Sequence, residues 1–107
     1  MTFGGMNIGE IQRQARELKA KLERIEEDLR ERVVEGTAGG GMVRVRANGL
    51  QEIVDVKVDP QVVVPGEKGM LEDLVMAASN EALRKARKLR ETELAKATGG
   101  LPLPGLF

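Results

Sequence analysis

The chain has 107 residues, 41% of them apolar, and its 17 lysines and arginines balance 17 acidic residues, as one folded domain of ordinary size allows. It has neither cysteine nor histidine, which excludes a disulfide framework, thiolate or imidazole metal sites and every nucleophile–histidine pair. No apolar run is long enough to span a bilayer and the amino terminus lacks a signal-peptide pattern, so a cytoplasmic protein is expected.

From Ile8 the apolar residues Ile8, Ile11, Ala15, Leu18, Leu22, Ile25 and Leu29 are separated alternately by three and four positions. That spacing predicts an amphipathic helix whose narrow stripe is also a coiled-coil seam, implying a helix partner, the alternative being a single helix lying flat on a sheet. So short a chain leaves much of its surface outside any core, which favours burial against a second copy.

Between Arg32 and Asp59 the period changes to two. "ERVVEGTA" reads as a strand ending at the Gly39-Gly40-Gly41 corner. Val43, Val45 and Ala47 then alternate with Arg44 and Arg46, and Val54, Val56 and Val58 with Asp55 and Lys57. This predicts a hairpin turning at Asn48-Gly49, either as a type I′ turn or as a loop lengthened by Leu50 and Gln51, with one valine-rich face and one charged face. The three glycines lack the following Lys-Ser/Thr of a phosphate loop and open a strand rather than a helix.

"DPQVVVPGEKG" is a connector with a short helical turn expected after Asp59-Pro60. Leu71, Leu74, Val75, Ala78, Ala82, Leu83, Ala86 and Leu89 keep helical spacing until Gly99-Gly100. The alanines at 77, 78, 82 and 86 are small enough to admit another helix at close range. The tail "LPLPGLF" has no periodicity. The expected architecture is a single α+β domain over residues 1–107: a long helix, a three-stranded antiparallel sheet and a long helix, with flexible ends at 1–7 and 99–107.

A helix of about 23 residues is about 35 Å long, whereas three six-residue strands make a sheet of only about 14 by 20 Å. Both helices should therefore overhang, the first at its start and the second at its end. Those parts carry Arg13, Arg16, Lys19, Lys21 and Arg24, and then Arg84, Lys85, Arg87, Lys88 and Arg90, while Glu26, Glu27, Asp28 and Glu31 crowd the sheet end of the first helix. Base near a helix end suits the macrodipole of the second helix, but the order in the first opposes it. The expected partner is a polyanion bound by counterion release. Arg13, Arg16, Lys19, Lys21, Arg84, Lys85, Arg87, Lys88 and Arg90 are the candidate contacts to that polyanion. Glu81–Lys85, Arg87–Glu91 and Glu17–Lys21 are alternatively ordinary solvated pairs. With Phe3 and Phe107 the only aromatic residues, a base-stacking platform is not expected. No catalytic site, metal, cofactor, membrane or small-molecule substrate is expected either.

The segments "FGGM", "VEGTAGGGMVRVRANG", "VKVDP" and "MLEDLVMAASNEALRKA" together resemble the YbaB/EbfC family of nucleoid-associated proteins nearly end to end. The resemblance implies a tweezers-like homodimer with long helical arms, binding to double-stranded DNA, and a place in the nucleoid with regulatory effects. It implies contact by the helices; the nine candidate residues rest on charge geometry. Two other readings fit the same element order: a prefoldin-like chaperone, which would need apolar arm tips, and a coiled-coil adaptor for another protein.

Overall fold

The computed structural model describes residues 2, 3 and 6–99. Thr2–Phe3 (β1) pairs with Met6–Asn7 (β2), and the Asn7 side chain caps the first helix by accepting from the Glu10 amide at 2.7 Å. The rest of the expected flexible ends lies outside the described residues. Helix α1 (Ile8–Glu31) leads into strands β3 (Val33–Ala38), β4 (Val43–Asn48) and β5 (Ile53–Val58), an antiparallel sheet in that order. A 3-10 turn (Pro60–Val62), capped by the Asp59 carboxylate, precedes helix α2 (Lys68–Ala97). The order of long helix, three-stranded sheet and long helix is thus as the pattern predicts.

The molecule measures 72 × 20 × 16 Å with a radius of gyration of 20.1 Å, against about 13 Å for a compact domain of this length. Its core explains the elongation. Helix α2 lies on β3 and β4, burying Ala78, Ala82 and Ala86 against Val43, Val45 and Ala47. A side chain at Gly36 in β3 would collide with the backbone of Ala78 and Ala82. The small residues therefore bring a helix down onto a strand, where the sequence pattern points to a second helix. As a result the sheet covers the middle of α2, and only the part after Ala86 runs past it.

The hairpin between β4 and β5 also departs from expectation. Val43, Val45 and Arg46 pair with Val58, Val56 and Asp55, but a bulge beside Arg46 and Ala47 sets Ala47 opposite Ile53. Ile53, rather than Val54, thereby shares the inner face with Val56 and Val58. The loop takes the longer of the two expected forms, but its positive-φ residue is Gln51 (φ 62°), not Gly49. Gly49 is required by contact instead. A Cβ there would sit 2.7 Å from Leu29 Cδ2, and the Gly49 amide donates to the carbonyls of Leu29 (2.8 Å) and Arg32 (3.0 Å), satisfying the end of α1. The buried Asn48 side chain holds the loop by accepting from the amides of Leu50 (3.0 Å) and Glu52 (3.1 Å).

Helix α1 meets α2 only through its sheet-proximal part. Leu29 is fully buried and Leu22 and Ile25 half-buried, yet Leu18 is 40% exposed and Ile8 46%. The segment Ile8–Ala20 stands about 20 Å clear of the body at 1.5 Å per residue, with most of its apolar stripe open.

Candidate nucleic-acid interface

The part of α1 from Ile8 to Arg24, which includes the protruding segment, carries five cations and three carboxylates. Arg13, Arg16, Lys19 and Lys21 are all exposed on it. Arg13 pairs with Glu17 at 3.4 Å, which takes Glu17 away from Lys21. Lys21 instead donates to the Ala97 carbonyl at 3.3 Å, at the negative end of α2. Arg16 and Lys19 have no ion-pair partner within 4.0 Å among the described residues.

The second basic block divides by helix face. Arg84, Arg87 and Lys88 are exposed, recur at three- and four-residue spacing, and stand on the side of α2 away from the buried alanines. None of them has an ion-pair partner among the described residues, and the expected Arg87–Glu91 pair is not formed. Arg90 is half-buried on a flank and also unpaired among those residues. Lys85 differs from all of these. It pairs with Glu81 at 3.1 Å and donates to the Glu35 carbonyl of β3 at 2.9 Å. The hydrogen bond from Lys85 holds the Glu81 carboxyl below the usual carboxylate range, with the Lys85 charge adding to it. Arg84 and Lys85 therefore ride above the sheet, not beyond it, because Ala82 and Ala86 on either side of them are buried in the core.

Away from these faces most cations have a carboxylate within 4.0 Å, Lys68 at the start of α2 being an exception among the described residues. Arg30 binds Glu27 at 2.6 Å, Arg44 and Arg46 share Glu35 at 3.5 and 3.9 Å, and Lys57 reaches Asp55 at 4.0 Å. At the junction of the helices Arg32 bridges Asp28 (3.6 Å) and Glu93 (3.1 Å), and Lys96 adds a second contact to Glu93 at 3.0 Å. The Glu93 carboxyl is lowered, first by the Lys96 hydrogen bond and then by Arg32. Two cations outside the nine candidates are also unpaired among the described residues: Lys68, at the start of α2, and Arg24, exposed and in line with Arg13 and Arg16 on α1. Only Arg24 lies beside the candidate residues. Its presence in the basic run of α1 is the signal in the sequence; its nearness to Glu23 conceals it, since adjacent helix residues point in different directions.

The arrangement offers two rows of unpartnered cations on helix faces; an open concavity of about 540 Å³ adjoins Arg24, with Ala20, Glu23, Glu26 and Glu27 on its other sides. A family model described as the YbaB/EbfC DNA-binding family matches residues 4–101. The chain belongs to that family. A nucleoid-associated protein of Thermoanaerobacter pseudethanolicus is 46% identical over 104 residues, which are 97% of this chain and 94% of that one. Another, from Acetivibrio thermocellus, is 47% identical over 106 residues, 98% of this chain and 93% of its own. The crystal structure of an uncharacterized Helicobacter pylori protein is similar with a TM-score of 0.79 and 26% identity, over 89% of this chain and 99% of that one. As a YbaB/EbfC chain it has no helix, among the described residues, long and apolar enough to cross a membrane.

Proposed function

We propose that this chain is a nucleoid-associated protein that binds double-stranded DNA as a homodimer, mainly by phosphate contacts from its two helical faces, with low sequence specificity. It acts in the cytoplasm, in organising the nucleoid and in gene regulation. The observation that carries the reading is the partition of charge: the cations of the sheet are each matched to a carboxylate, whereas Arg16, Lys19, Arg84, Arg87, Lys88 and Arg90 are matched to none among the described residues. Unpaired exposed cations are free to neutralise phosphates and release counterions, and such contacts fix position without reading bases.

The homodimer is supported by apolar surface that one chain leaves open. Helix α2 covers β3 and β4 but hardly reaches β5, so Ile53 and Val56, on the inner face, are each 46% exposed. The stripe of α1 at Ile8 and Leu18 is open as well. A second copy covers both kinds of surface without a new partner type.

The test is duplex binding by a variant with Arg84→Gln, Arg87→Gln and Lys88→Gln, beside Lys85→Gln alone. The triple variant should keep the wild-type mass and fold, bind every duplex sequence more weakly, and show a salt slope shallower by about one unit for each phosphate no longer neutralised. Lys85→Gln should bind nearly as wild type. Unchanged binding by the triple variant would remove α2 from the proposed surface.

A further inference from the structure

Arg44 on β4 and Lys57 on β5 stand directly opposite each other, on the sheet face turned away from α2. Like charges in that relation repel and weaken a sheet, so the pair asks for an anion. Each has one carboxylate within 4.0 Å, but to one side of the pair and not between them. Arg44 Nε donates to the Gly41 carbonyl at 3.1 Å and its guanidinium leans to Glu35 at 3.5 Å, on the β3 side; Lys57 touches Asp55 only at 4.0 Å, farther along β5.

The two side chains line a concavity of about 230 Å³ with Gly41, Met42, Val58 and Asp59. The Asp59 carboxylate there is engaged, accepting from the Gln61 amide at 2.8 Å. Gly41, on the wall of the concavity, ends the turn Gly39-Gly40-Gly41, with φ of 64°, 67° and 90°. Three residues in succession with positive φ favour glycine and turn the chain tightly here. The amides of Gly40 and Gly41 donate to no other group among the described residues.

We propose that Arg44, Lys57 and this glycine turn form a binding site for a single phosphate group. It is separate from the helical faces. A Cβ at Gly39, at one end of β4, would lie 3.2 Å from Leu74 of α2, whereas the Gly49 amide at the other end bonds the Leu29 carbonyl of α1, and the strand between them is about 20 Å long. The phosphate comes either from a duplex backbone, which gives each chain a second contact remote from its arms, or from free phosphate.

The site does not depend on the DNA reading, and inorganic phosphate tests it directly. In amide NMR spectra of the full chain, phosphate should shift the Gly40, Gly41 and Met42 signals saturably. Arg44→Gln with Lys57→Gln should abolish the shifts and raise the unfolding temperature by removing the repulsion. The charge-preserving exchange Arg44→Lys with Lys57→Arg should retain phosphate binding and shows that the sheet tolerates change here. A short duplex that shifts the same amides identifies nucleic acid as the source, and one that leaves them unmoved identifies free phosphate. Shifts that do not saturate, or that persist in the double glutamine variant, overturn the proposal.

Discussion

Arg32, at the foot of α1, bridges to Glu93 near the end of α2 at 3.1 Å, and the same carboxylate receives Lys96 at 3.0 Å. The contact sits where the two helices leave the sheet together, so it bears on how the arm of α1 is held. Folding lowers the Glu93 pKa, mainly through Lys96 and then Arg32. A carboxyl lowered on folding contributes stability that is fully present above its unfolded value and disappears as pH falls through its folded one. Thermal melts between about pH 7 and pH 3 should therefore show wild type losing more stability on acidification than Glu93→Gln. Parallel pH profiles would mean that the carboxylate adds nothing to the junction.

Gly36→Ala tests the seating of α2. The added methyl meets the backbone of Ala78 and Ala82, which cannot turn aside as a side-chain tip can. Overpacking of this kind costs about 1–3 kcal/mol, readable as a lower denaturant midpoint. Gly40→Ala meets no atom within 4 Å but must adopt φ 67°, so its destabilisation should be smaller and should come from the backbone alone.

Leu29→Ala removes the fully buried side chain that joins α1 to the β4–β5 loop. A cost of about 2–5 kcal/mol is expected by urea unfolding, whereas Leu22→Ala, at a half-buried position of the same stripe, should cost less.

Self-association makes a separate prediction. Leu18→Glu and Val56→Glu place a charge on the open stripe of α1 and on the uncovered face of β5, and both residues are exposed in one chain. Each should leave the chain folded while lowering the mass measured by light scattering from dimer towards monomer. A dimer unaffected by both changes would place the interface elsewhere.

The parts of this structure legible in the sequence are those governed by periodicity. The alternation of three and four in α1, the period of two through Val43–Ala47 and the Asp59-Pro60 turn each state a local rule that the fold obeys. Gly49 and Gly36 are illegible for the opposite reason. Each is glycine because a distant segment, Leu29 or Ala78, needs the room, and no local pattern carries that information. Asn48-Gly49 even misleads, since its turn signal coincides with a packing requirement. The choice of ion pairs is likewise closed to spacing: Glu17 has Arg13 and Lys21 at equal separation, and the structure pairs it with Arg13 because Lys21 finds a helix end within reach. Charge segregation is readable in the sequence, but which cations remain unpaired depends on the fold.

The most direct measurement is fluorescence anisotropy of a labelled random-sequence duplex with the wild-type chain at several salt concentrations, the mass being followed in the same buffers. Phosphate binding by the helical faces predicts an affinity that falls steeply with salt, with a slope of about −0.9 for each phosphate neutralised, while the dimer persists. Binding absent at low salt, or present but indifferent to salt, would contradict it.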